Sequence, residues 1–158
     1  MSKRKQRDIE LFLVDALVAI KKIRTYVTGF SDEHALKCSG IHWDATIRQL
    51  EIVGESLNNL LDDDYFSSMS PAYFRKVVNF RNAMTHGYFG IDASEVWNVI
   101  TQKLDILEND LLKIIQNGID LSAALESEIS EYRSLQNTEI LNYLEYIKDK
   151  TSKSARKG

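Results

Sequence analysis

The segment SPAYFRKVVNFRNAMTHG, residues 70–87, decides the fold, because a helix start, an apolar stripe and a helix stop follow one another within it. Ser70 before Pro71 is typical of a helix N-terminus, with serine as the N-cap and proline in the first helical position. A phenylalanine and two valines then recur at helical spacing, and a glycine suited to the left-handed position after a helix end closes the segment. The segment therefore predicts an amphipathic helix that ends near His86.

Three further long helices are predicted around this one by apolar residues that recur every three or four positions. Their expected ranges are 8–28, 41–61 and 92–117. Only seven glycines and one proline interrupt the chain, which favours an all-α, up-and-down bundle of four long helices. Gly54 costs about 1 kcal/mol inside a helix relative to alanine, so it predicts that another helix crosses closely there.

The bundle is expected to occupy residues 7–117, and the remainder forms an appendage. Residues 119–149 are amphipathic and predict a C-terminal helical extension, split near Asn137, that needs a partner surface on the bundle or on another subunit. Residues 150–158 are polar and predict a disordered tail.

Composition and charge indicate an ordinary globular protein with an acidic body. The 158 residues are 44% hydrophobic and 27% charged, with a net charge of −3. Between residues 7 and 117 there are 11 lysines and arginines against 16 aspartates and glutamates. A protein that holds long nucleic-acid duplexes usually has a broad basic face. Any RNA would therefore be bound at a local positive site.

Neither a membrane segment nor a metal site is expected. No apolar run approaches the roughly 20 residues that span a bilayer, no signal segment follows the basic N-terminus, and one free cysteine fits a reducing cytoplasm. Cys38 lies four residues from His34 and from His42, but in a stretch predicted to be irregular, which disfavours zinc. The three acids at 62–64 favour a solvated turn. We predict a cytoplasmic protein without metal or cofactor.

The polar residues at the end of the helix over 70–86 could carry chemistry. Asn82 and His86 are four apart and share a helix face, whereas Arg81 continues the apolar stripe, about 140° around from His86. A guanidinium on a packed face needs a partner, which could be a substrate phosphate. His86 could move a proton to or from a 2′-hydroxyl. These groups could support metal-free RNA cleavage, with a twofold dimer supplying both an acid and a base.

A purely structural interpretation stands beside this one. Arg81 could pair with Glu51 or Glu55 of a neighbouring helix. His86 could only cap the negative end of its own helix, and Tyr88 could be a core aromatic.

Two motifs in this chain closely resemble the HepT-like branch of the HEPN superfamily. FRNAMTHGYFGID at residues 80–92, followed by VW at 96–97, is similar to that branch's R-N-x3-H-x-Y-F pattern with a downstream V-W. IRQLEIVGES at residues 47–56 resembles the same family's helix-two pattern ending in G-E-A. The resemblance covers roughly residues 7–117.

The resemblance implies both an activity and a site. Arg81 and His86 correspond to the family's catalytic pair and Asn82 to its polar companion. The implied protein is a homodimeric bundle with a shared cleft, acting as a metal-independent endoribonuclease toxin of a type II or type VII-like toxin–antitoxin system. Gly87 departs from the pattern because the family often has Asp there, and residues 119–158 extend beyond the usual family length.

The resemblance also implies a partner, an MNT-type minimal nucleotidyltransferase antitoxin. Tyr88 then corresponds to the acceptor of AMP from ATP, and adenylate phosphates beside Arg81 would place negative charge where RNA phosphate should bind. The alternatives are a non-catalytic HEPN interaction module that binds a nucleotidyltransferase or nucleotide, and a purely structural helical dimer.

Overall fold

The computed structural model describes residues 2–86 and 90–152, which form helices and turns and contain no strand. The elements in chain order are α1 (Lys3–Val27), α2 (Glu33–Cys38), α3 (Gly40–Leu61), α4 (Asp64–Met69), α5 (Phe74–His86), α6 (Ala93–Asn98), a π-helical turn (Val99–Lys103), α7 (Leu104–Gln116), α8 (Ser122–Ser134) and α9 (Thr138–Thr151). The all-helical fold predicted from the sequence is confirmed.

The body of the protein is a helical bundle of α1, α3, α5 and the continuous helical run from α6 to α7. α1 lies against α3 and α7, and α3 lies against α5. Their apolar faces meet in one core, and its fully buried members include Leu17, Ile20, Leu57, Phe74 and Leu111. The position of α5 beside α3 is what places the candidate residues.

Two helix starts that have a capping side chain agree with the sequence, and a third does not. The Asp92 carboxylate accepts from the backbone N–H groups of Ser94 and Glu95 at 2.9 and 3.4 Å, which begins α6 as predicted. Asn137 caps α9 in the same way and divides the extension into two helices, also as predicted. α1 begins five residues before the expected Asp8, because the Ser2 hydroxyl caps it.

The predicted start of α5 at Ser70 and Pro71 is wrong. The Ser70 hydroxyl instead donates to the backbone oxygen of Phe66 at 2.7 Å and ends α4, and α5 begins only at Phe74. The helix α4 was not expected from the sequence. Its N-cap Asp63 is 4% exposed, so the expectation of three solvated acids at 62–64 is wrong for this residue.

The C-terminal extension packs on the bundle, against α1 and α7. Tyr143 of α9 donates a hydrogen bond to the buried Glu108 of α7. Arg24 of α1 donates to the same carboxylate at 2.8 Å. Because α9 continues through the buried Thr151, the predicted disordered tail is wrong for residues 150–151; residues 153–158 lie outside the described part of the chain.

Replacing Tyr143 by phenylalanine is expected to lower the free energy of unfolding by about 1.5–3 kcal/mol, the range for hydrogen bonds to charged groups. Burial, and then the charge of Glu108, raise the pKa of Tyr143 above its ordinary value, so its hydroxyl remains the donor. Urea unfolding followed by circular dichroism measures the change. Tyr146→Phe is the matched control, because Tyr146 is 42% exposed. Equal effects would mean that the hydrogen bond does not anchor the extension.

Candidate functional site

The candidate site lies where α5 crosses α3. A Cβ added to Gly54 would lie 2.2 Å from the Cβ of Arg81 and 2.6 Å from its Cγ. Real Cβ atoms do not approach so closely, so the crossing requires glycine. The predicted close helix crossing at Gly54 is confirmed, and the residue that it receives is Arg81.

The Arg81 guanidinium is held by packing and only partly by hydrogen bonds. Its Nη1 donates to the side-chain oxygen of Asn82 at 3.0 Å, while its Nε is buried and has no hydrogen-bond partner. In the described part of the chain, no ion pair joins Arg81 to Glu51 or Glu55, and Glu51 pairs with Arg48 at 3.5 Å instead. A buried donor without a partner is rare and calls for an explanation such as a catalytic role.

Asn82 and His86 are exposed on the same face of α5, one helical turn apart. His86 is the last described residue of the helix and its ring is open to solvent. The Arg81 guanidinium is therefore hydrogen-bonded to Asn82, and Asn82 lies on the same helix face as His86. Gly87 and Tyr88 lie outside the described residues, so the predicted helix stop and the predicted AMP acceptor are not placed.

An apolar groove of about 440 Å³ lies along another face of α5, and the sequence did not indicate it. One wall is α5 and the other is the run from α6 to α7. Its lining residues are Tyr73, Lys76, Val77, Phe80, Glu95, Asn98, Val99, Lys103 and Ile106. Phe80 directly precedes Arg81, and the π-helical turn, a feature frequent at functional sites, forms part of the far wall.

Tyr73, one of the lining residues of the groove, is held by a hydrogen bond. The Tyr73 hydroxyl donates to Asp110 at 2.6 Å. Burial, followed by this bond, raises the pKa of Tyr73 above its ordinary value. The open side of the groove exposes Ile106, which is 51% accessible.

The candidate ligands for metal do not converge. Cys38 ends the helix α2 rather than lying in an irregular stretch, and its Sγ lies 3.5 Å from Nε2 of His34. His42 is hydrogen-bonded to Ser39 instead. Over residues 2–86 and 90–152, no three His, Cys, Asp or Glu side chains are grouped so that they could hold a metal ion. In the same ranges, no helix is long and apolar enough to cross a membrane.

Comparison with known proteins shows that the sequence is similar to a ribonuclease-related family. Residues 16–117 match a protein-family model described as ribonuclease HepT-like. A Methanocaldococcus jannaschii protein named as a candidate RNase is 27% identical over 124 residues, which are 78% of this chain and 98% of the relative. A Thermococcus cleftensis protein named as a probable ribonuclease HepT is 29% identical over 113 residues, 71% of this chain and 97% of the relative.

A third relative, also from Methanocaldococcus jannaschii, is named as a gamma-glutamylcyclotransferase and candidate RNase. It is 24% identical over 136 residues, which are 86% of this chain and 60% of that protein. No solved structure matches the chain. The family match ends at Asn117, so it includes α5 and the groove and leaves out α8 and α9.

Proposed function

This chain belongs to the ribonuclease HepT-like family, and from that premise we propose that it is a cytoplasmic, metal-independent endoribonuclease with Arg81, Asn82 and His86 as its catalytic residues. The observation that carries the proposal is the Arg81 guanidinium. The side chain is fixed at a helix crossing that only glycine permits. In the described chain the guanidinium pairs with no carboxylate, and its Nε has no hydrogen-bond partner. A phosphate is the ligand that such a planar fork fits best.

The proposed reaction is an intramolecular transesterification of RNA. His86 removes the proton from a 2′-hydroxyl, the 2′-oxygen forms a bond to the adjacent phosphorus, and the bond to the 5′-oxygen breaks. A proton returns to that leaving oxygen, and the product end is a 2′,3′-cyclic phosphate. Arg81 stabilises the charge that develops on the phosphate oxygens, while Asn82 accepts from Nη1 and so orients the guanidinium.

A homodimer would supply the second proton-transfer group. One chain brings one His86, whereas the acid and base roles are better filled by two histidines. The open apolar groove between α5 and the run from α6 to α7, with the half-exposed Ile106 among its lining residues, supports a second copy that covers this surface. Two copies related by a twofold axis would then share one cleft.

The experiment that tests the activity is cleavage of RNA by the purified protein in EDTA. Discrete fragments ending in 2′,3′-cyclic phosphate are expected, since no step needs a metal ion. Cleavage that requires added Mg²⁺ would contradict the mechanism. Stable binding of a nucleotidyltransferase without any RNA cleavage would favour the non-catalytic interaction module instead.

We further propose that the protein is the toxin of a toxin–antitoxin pair, with an MNT-type nucleotidyltransferase as its antitoxin. The support is the resemblance of residues 80–92 to the HepT-like pattern, in which the tyrosine follows the histidine by two positions. AMP added to Tyr88, close in sequence to Arg81 and His86, would bring phosphate charge to the site of RNA phosphate binding.

Co-expression with the nucleotidyltransferase is expected to increase the mass of this chain by one or more AMP units, because the Tyr88 hydroxyl accepts the adenylate. Intact-protein mass spectrometry measures the increase. The Tyr88→Phe variant should keep its original mass, and Tyr65→Phe, which changes an exposed tyrosine of α4, should be modified like the wild type. An unmodified wild-type chain would refute AMP transfer to this residue.

A further inference from the structure

The polar face of α5 continues past the proposed catalytic residues towards the start of the helix. Arg75, Asn79, Asn82 and His86 are spaced by four, three and four positions, so their side chains leave the helix on one face. All four residues are exposed. The buried residues of the helix, Phe74, Val78 and Met84, lie outside this row. These four exposed side chains, from here on the α5 track, form a row that is wholly polar.

No acidic residue lies on or next to this row in sequence. Residues 65–91 contain neither Asp nor Glu, although the chain has 23 of them. Within the described chain Arg75 forms no salt bridge, whereas Arg24 and Arg48 each pair with a carboxylate. The α5 track therefore carries one positive charge, that of Arg75, and no negative charge of its own.

We propose that the α5 track binds the backbone of single-stranded RNA, with Arg75 holding a phosphate and Asn79 donating to a phosphate or ribose oxygen. This inference rests on the proposed ribonuclease function and adds the substrate-binding residues. From Arg75 to His86 the helix rises about 16 Å. At the 3.4 Å rise of a stacked strand, this is room for about five nucleotides.

Charge favours a single strand over a duplex. A guanidinium and a row of amides can neutralise and orient one backbone. A duplex would bring its second backbone against the rest of the bundle, where acids outnumber bases. The α5 track also leads directly to the cleavage residues, because Asn82 accepts the hydrogen bond from Arg81 at 3.0 Å.

RNA binding by catalytically inactive protein tests the α5 track. In the His86→Ala background, Arg75→Glu is expected to raise the Kd for a fluorescent single-stranded RNA about tenfold, and Asn79→Ala by a smaller factor. Arg75→Ala should reduce the slope of log Kd against log salt by about 0.7, the value for one phosphate contact on a single strand. Arg133→Glu is the matched control, since Arg133 is an exposed arginine of α8.

Equal losses of RNA affinity in Arg75→Glu and Arg133→Glu would refute RNA binding by the α5 track. Equal affinity for a single strand and for a duplex of the same sequence would refute it as well. A changed oligomeric state of Arg75→Glu in light scattering would also overturn it, because the face would then be a subunit interface. Cleavage is measured separately in the otherwise wild-type protein. If RNA binding depends on Arg75 but the protein cleaves no RNA, the ribonuclease function is refuted and RNA binding by the α5 track is supported. If Arg75→Glu leaves the cleavage rate of dilute RNA unchanged, RNA binding by the α5 track is refuted and the ribonuclease function is supported.

Discussion

Replacing His86 by alanine is expected to lower kcat/KM for RNA cleavage by at least about a hundredfold, the smallest effect usual for a group that transfers a proton in the transition state. Replacing Arg81 by alanine should cause a loss of similar size, because it removes the cation that stabilises charge on the phosphate. Fluorogenic RNA cleavage under substrate-limited conditions measures both. Growth arrest on induction in cells should disappear with the same two variants.

The matched controls are a histidine and an arginine elsewhere on the surface. His42→Ala and Arg133→Ala change exposed residues of α3 and α8 and should retain full activity. Circular dichroism should give the same helix content for all four variants. If His86→Ala keeps wild-type cleavage and toxicity, the assignment of His86 is wrong, whatever the activity of the protein.

The sequence predicted the location of Arg81 because helical phase is a local property. Arg81 follows Phe74 by seven positions and Val77 by four, which puts it on the packed side of α5, and its Nε is indeed buried. The partner of Arg81 could not be predicted. Glu51 and Glu55 lie on either side of Gly54 in α3, and only the register of the two packed helices decides whether either carboxylate reaches the guanidinium.

Two helix starts could be predicted because the capping side chain lies close in sequence to the backbone groups that it caps. Asp92 and Asn137 act on backbone N–H groups two or three residues away, so their capping is readable from the sequence. Ser70 offers the same side-chain chemistry, but its hydroxyl bonds backwards to α4, a helix too short to leave a periodic pattern. The groove beside α5 arises from the separation of two helices and the π-helical turn, which no single segment encodes.

The helices of the C-terminal extension could be predicted from the sequence pattern, but the surface on which they pack could not. Its amphipathic repeat predicted helices that need a partner but left open whether the partner was the bundle or another subunit. In the structure, Glu108 of α7 accepts from both Tyr143 of α9 and Arg24 of α1, a long-range contact among three helices that periodicity does not contain. The domain boundaries at 7–117 and 119–149 stay predictions, as does the role of Tyr88.

Replacing Gly54 by alanine is expected to lower both stability and activity. Alanine is the better helix former by about 1 kcal/mol, so at a site without close neighbours it would stabilise the protein. Here the added methyl group would meet the Cβ and Cγ of Arg81 at 2.2 and 2.6 Å, and these atoms lie too near the backbone to swing away. Overpacking of this kind costs about 1–3 kcal/mol, which outweighs the gain in helix propensity.

Urea unfolding and kcat/KM, measured on the same preparations, separate the two effects of Gly54→Ala. Gly40→Ala is the control, because Gly40 begins the same helix and nothing lies within 4 Å of the position of its added Cβ. The double variant Gly54→Ala/Arg81→Gly removes the clashing side chain. Its loss of stability should be smaller than the sum of the two single losses, while its activity stays absent, since the guanidinium is gone. Additive stability losses would mean that the close approach of α3 and α5 does not position Arg81.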